Sequence, residues 1–82
     1  MKILYFSWLR ECIGISSEEY STDATTVRGL ISELSEIEPR YEKAFLNLSV
    51  VKAAIDQELA DNLDDSIIGA REVAFFPPMT GG

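Results

Sequence analysis

The sequence predicts an α+β domain in which a mixed β-sheet wraps around one main helix, and three observations support this. Runs rich in branched and aromatic side chains ("KILYFSW", "VVKAAI", "EVAFF") stand near the start, after the midpoint and near the end. Between the first two, "TTVRGLISELSEIEP" repeats its apolar residues at helical spacing. A chain of 82 residues makes a single domain, so the one apolar helix stripe needs one sheet face to cover it.

Taken in order, residues 2–8 form the first strand, with Ile3 and Tyr5 toward the helix and Leu4, Phe6 and Trp8 away from it. "LRECIG" is a short helical turn closing at Gly14, and "SSEEYS" returns as a polar edge strand, completing a hairpin. In the central helix Val27, Leu30, Ile31, Leu34 and Ile37 form the stripe, Thr25 or Thr26 caps the start and Pro39 ends it. Gly29 inside that helix costs about 1 kcal/mol relative to alanine. "YEKAFLN" adds a turn of helix, "VVKAAI" is a strand, "QEL" follows a tight turn at Asp56, and "NLDDSIIG" is loop. "EVAFF" is the last strand, with Val73 and Phe75 inward and Phe76 outward. Pro77 has no N–H to give a ladder and ends it.

Composition removes several functions. Fourteen acidic against seven basic residues leave a net charge of −7, which disfavours nucleic acid and anionic membranes and favours a protein partner. No apolar run approaches the roughly 20 residues that span a bilayer. "KILYFSWL" is interrupted by Arg10 and Glu11 with no cleavage site behind it, so a mature start is expected. The single cysteine, Cys12, suits a cytoplasmic location and is expected as a small buried side chain rather than a reactive persulfide carrier. Histidine is absent, so a nucleophile would lack its usual base. The carboxylates of "SSEEYS", "SELSEIEP" and "DNLDD" match no calcium-loop spacing and are expected as a solvated acidic face, with no metal site. Gly14, Gly29 and Gly69 are isolated, so no phosphate loop is present. The chain is therefore expected to act through another protein's catalytic groups.

The remaining signal is the ending, "EVAFFPPMTGG". Pro77 and Pro78 hold the backbone extended, and Gly81 and Gly82 carry no Cβ, so residues 77–82 form a thin thread. At about 3.3 Å per residue it reaches roughly 20 Å, far enough to enter a neighbour's buried site. Its tip presents an unobstructed α-carboxylate, which ATP can activate as an acyl-adenylate for attack by sulfur or an amine. The competing interpretation is a frayed terminus or a cloning remnant.

With the opening strand and its "LREC", "TVRGLISEL", "AAIDQEL" and above all "EVAFFPPMTGG", the whole chain resembles the small subunits of molybdopterin synthase. These are sulfur carriers with the ubiquitin-like β-grasp fold. It departs from that family at "IIGAREV", where a basic residue replaces an acidic turn, and at Asp56, where asparagine is frequent; both positions lie away from the tail.

The resemblance implies a β-grasp domain over residues 1–76 and a tail over 77–82. It implies that an adenylating enzyme related to ubiquitin activators spends ATP on the Gly82 carboxylate, and that a sulfur donor makes the thiocarboxylate. The tail then enters the large synthase subunit and passes sulfur to a pyranopterin precursor. Gly82 would carry the reactive group, Gly81 would give clearance, Pro77 and Pro78 would direct the thread, Met79 holds a variable position and Thr80 would hydrogen-bond in the tunnel. Phe6, Arg10, Leu59 and Phe76 match contact positions of the family. No cofactor is expected to be permanently bound. Relatives sharing the fold and the glycine pair include protein modifiers and carriers for thiazole or tRNA thiolation. The aromatic and diproline segment favours the molybdopterin branch. A noncatalytic adaptor is the third possibility.

Overall fold

The computed structural model describes residues 1–78. The site positions expected at Met79, Thr80, Gly81 and Gly82 lie outside the described residues. In chain order the elements are β1 (Lys2–Tyr5), α1 (Ser7–Ile13), β2 (Ser17–Glu19), α2 (Val27–Ile37) and α3 (Pro39–Ala44). A 3₁₀ turn (Leu48–Val50), β3 (Lys52–Ile55), β4 (Glu58–Leu59) and β5 (Glu72–Phe76) follow. The strands form one sheet of order β2-β1-β5-β3-β4. Strand β1 runs parallel to β5 and antiparallel to β2, and β3 is antiparallel to both β5 and β4, which makes the sheet mixed. This is the β-grasp architecture.

Strand alternation sorts the sheet into two faces. Ile3, Tyr5, Ala53, Val73 and Phe75 turn inward and form one core with Val27, Leu30, Ile31 and Leu34 of α2. The start of α2 is fastened twice. The Thr26 hydroxyl accepts from the Gly29 N–H at 3.0 Å, a capping bond. The N–H groups of Val27 and Arg28 donate to the carbonyls of Asp65 (3.2 Å) and Leu63 (2.7 Å) in the long loop before β5. Gly29 fits because a Cβ there would stand 3.3 Å from both the Ala24 Cβ and the Thr26 hydroxyl.

The first strand is shorter than its composition suggests. β1 stops at Tyr5, Phe6 is still extended, Ser7 takes a positive φ of 57°, and α1 begins there. The helix prevails over β propensity because Leu9 and Ile13, four apart, both reach the core. Gly14, at φ 95°, ends the helix by donating to the Arg10 carbonyl at 2.8 Å. β1 and β2 pair as expected, with α1 inserted between them.

Cys12 is exposed, contrary to the expectation of burial. Leu9 and Ile13 occupy the inward stripe of α1, which leaves Cys12 outside, its sulfur 3.8 Å from the Arg40 carbonyl oxygen. Ile37, the last residue of α2, is half exposed because the chain turns behind it into α3, where Pro39 sits in the first turn.

The acidic residues are not all solvated. Glu18 lies opposite Ile3 and therefore points inward from an edge strand. One of its oxygens accepts from the hydroxyls of Tyr5 and Tyr41, each at 2.7 Å. Burial first, and then that carboxylate, raise both phenols. Tyr41 is pushed up to about 12 and Tyr5 further still. Glu33 likewise accepts from Tyr20 (2.7 Å) and Thr22 (3.0 Å), and Tyr20 is raised to about 12 by burial and then by this bond. Arg40 ties α3 to α1 through the Ile13 carbonyl at 2.8 Å.

Candidate functional site

The open face of the sheet carries a short apolar row, with Lys2, Glu19, Lys52 and Glu72 on the same face. Register places Leu4, Ala74, Ala54 and Leu59 side by side across β1, β5, β3 and β4. Leu59 is 69% exposed. One step along, Phe76 pairs with Lys52, and the Phe6 N–H donates to the Phe75 carbonyl at 3.0 Å, bringing Phe6 alongside the end of β5. Phe6 is 47% exposed, whereas Phe76, Pro77 and Pro78 are half-buried.

Three of the expected contact residues therefore belong to one surface. Phe6 and Phe76 lie at the same end of the sheet, and Leu59 closes the far end of the apolar row. Arg10 stands apart from the strands, exposed on α1 one turn beyond Phe6, with its N–H 3.4 Å from the Phe6 carbonyl. The small residues Ala54 and Ala74, which shape the middle of the strip, were not singled out from the sequence. Their place depends on strand register, which leaves no mark in "KAAI" or "EVAFF".

The loops beneath the strip are held by short bonds. Asp56 and Gln57 form the β3–β4 turn with φ values of 49° and 72°. The Asp56 carboxylate accepts from the Arg71 and Glu72 N–H groups at 2.8 and 3.0 Å, and the Asp56 N–H donates to the Glu72 carbonyl at 2.9 Å. Both expected departures from the family pattern meet here: the carboxylate of Asp56 fixes the backbone at Arg71 and Glu72, where the loop enters β5. An exposed Arg28–Asp64 pair at 2.8 Å braces the same loop against α2. Each partner stabilises the other's charge, raising the arginine and lowering the aspartate. Among the described residues no group of three or more His, Cys, Asp or Glu side chains is placed to hold a metal ion. No helix among them is long and apolar enough to cross a membrane.

Comparison with known proteins bears on the family and the fold. The molybdopterin synthase sulfur carrier subunit of Escherichia coli (strain K12) is 35% identical over 82 residues, covering 100% of this chain and 99% of that protein. The protein of the same name from Haemophilus influenzae (strain ATCC 51907 / DSM 11121 / KW20 / Rd) is 30% identical with the same coverage. Among solved structures, SAMP1 from Haloferax volcanii superposes with a TM-score of 0.75 at 24% identity, over 100% of this chain and 98% of that one. A putative molybdopterin converting factor subunit 1 from Pyrococcus furiosus gives 0.67 at 24% identity, over 95% of each chain. At that identity the two structures speak for the fold. The model of the ThiS family matches residues 3–82, and with relatives at this identity along its whole length the chain belongs to the ThiS family.

Proposed function

We propose that this protein is a sulfur carrier in molybdenum cofactor biosynthesis, the small subunit of a molybdopterin synthase. The observation that supports it most directly is the 35% identity, end to end, with a protein named as that subunit. The open face adds a physical reason: Phe76 shares it with the apolar row, and Pro77 and Pro78 cannot extend the ladder, so the chain leaves the sheet beside its docking surface.

In this proposal residues 1–76 are the docking domain and 77–82 the carrying tail. The Gly82 carboxylate attacks ATP on a ubiquitin-activator-like enzyme, releasing pyrophosphate and forming an acyl-adenylate. A donor protein's persulfide displaces AMP to give an acyl disulfide, and a second thiol on the partner breaks the S–S bond, becoming a disulfide and leaving the thiocarboxylate. Phe6, Leu59 and Phe76, with Arg10 at the margin, hold the large subunit while residues 77–82 enter it. Met79 and Thr80 enter with the tail, Thr80 hydrogen-bonding within the passage, and Gly81 gives clearance. The sulfur passes to the pyranopterin precursor, and water restores the carboxylate. ATP is the activating enzyme's substrate, the small subunit performs no catalysis alone, and the cycle is placed in the cytoplasm.

The test is single-turnover formation of molybdopterin by purified large subunit and chemically thiocarboxylated protein, which separates delivery from loading. Gly81→Val and deletion of Gly82 should each reduce delivery on the order of a hundredfold or more, because the reactive group is obstructed or falls about 3.3 Å short. Thermal unfolding should not change. Wild-type rates for both variants would refute the carrier reading.

A further inference from the structure

Resting on the sulfur-carrier reading, we propose that Trp8 and Val50 are positioning residues that brace Pro77-Pro78 between them and so set the direction in which the tail leaves the domain. β1 and β5 are parallel neighbours, so the chain leaves both at the same end of the sheet, the first into α1 and the second into the tail. β3 enters from that end on the other side of β5. Its first residue, Lys52, lies opposite Phe76, and the 3₁₀ turn that carries Val50 ends just before it. The tail root is thus flanked by the start of α1 and by the 3₁₀ turn. Trp8, Val50, Pro77 and Pro78 line one shallow apolar niche there. Both prolines are half-buried, while Trp8 and Val50 remain 38% and 37% exposed.

Two features indicate that this is a built arrangement. The prolines have no N–H to donate to a neighbouring strand, so side-chain packing takes a larger part in directing the tail. Ser7, a non-glycine residue, accepts a positive φ of 57°. That costly turn lets α1 start directly after Phe6, and Trp8, the next residue, lines the niche with the prolines. A flat indole against pyrrolidine rings offers a large apolar contact with few rotamers to lose. A tail held in its outgoing direction has less disorder to surrender when it enters a partner, so the benefit should appear in affinity.

Trp8 is the sole tryptophan, so its emission reports the niche directly. In the full-length protein, replacing both prolines (P77G/P78G) should shift that emission to the red as the indole becomes wetter, with an unchanged far-ultraviolet dichroism spectrum. In the delivery assay with thiocarboxylated protein, Trp8→Ala should raise the half-saturating concentration of large subunit roughly five- to tenfold with the saturated rate unchanged. Trp8→Phe should recover most of that loss. Unchanged emission in the double-glycine variant overturns the bracing, as does unchanged half-saturation in Trp8→Ala. Failure of the wild-type thiocarboxylated protein to deliver sulfur would instead break the carrier reading, and the bracing would then be decided by the emission alone.

Discussion

Phe75 and Phe76 are consecutive residues of β5 with opposite surroundings. Phe75 is fully buried on the closed face, edge-on to Phe45 at 5.0 Å between ring centres and stacked with Tyr5 at 6.1 Å. Phe76 is half-buried on the open face, with Lys52 as its register partner and a proline behind it. The closed face satisfies itself: its apolar side chains are covered by α2, and the phenols of Tyr5 and Tyr41 share the Glu18 carboxylate. Leu59, Phe6 and Trp8 at the open side keep large exposed areas. The contrast teaches that strand alternation within one short element separates a side chain built into the core from one left on the open face.

Truncating one aromatic on each face is the sharpest way to break that comparison. Phe75→Ala should destabilise the protein by about 3–5 kcal/mol, since the transfer term and the cavity add, and equilibrium denaturation measures it. Phe76→Ala should cost little stability but weaken binding to the large subunit by about 2 kcal/mol, roughly thirtyfold, as read by titration calorimetry. If Phe76→Ala lowers the melting temperature and leaves affinity intact, the face assignment is reversed.

A smaller effect isolates the hydrogen-bonded side of the core. The phenol of Tyr41 rises from the ordinary value of 10.0 to about 12, and Tyr5 moves in the same direction, so the folded state holds these protons more tightly than the unfolded chain. Their stabilising contribution is complete below about pH 10 and is lost as pH climbs toward 12. Denaturation followed from pH 9 to 12 should show a decline on the order of 1–2 kcal/mol, which Tyr41→Phe should reduce. A flat profile would mean that the phenols do not titrate against folding.

The smallest expected effect is at Cys12. The thiol lies outside the core and pairs only weakly with the Arg40 carbonyl at 3.8 Å, so Cys12→Ala should change stability by less than about 0.5 kcal/mol and leave sulfur delivery at the wild-type rate. Loss of delivery with a normal fold would give the sulfur a role that the surface position does not suggest.

Local chemistry by itself determined most of the elements. The stripe of Val27, Leu30, Ile31 and Leu34 with Thr26 at its head specifies α2, because helix period and capping act over a few residues. The branched and aromatic content of "EVAFF", stopped by a proline, specifies β5, and alternation within it separates Phe75 from Phe76. The resemblance carried by "FFPPMTGG" likewise needs no fold to be visible. Only tertiary structure decided where β1 yields to α1, since Trp8 has strand propensity and it is the burial of Leu9 and Ile13 that selects the helix. It also placed Glu18 between two tyrosines, the Asp56 carboxylate on the backbone of Arg71 and Glu72, Ala54 and Ala74 in the middle of the apolar row, and Trp8 and Val50 in one niche with Pro77 and Pro78. Each of these depends on which strands lie side by side and in what register. Register is set by long-range pairing across the sheet, so residues distant in the chain become neighbours without any pattern in the sequence to announce it.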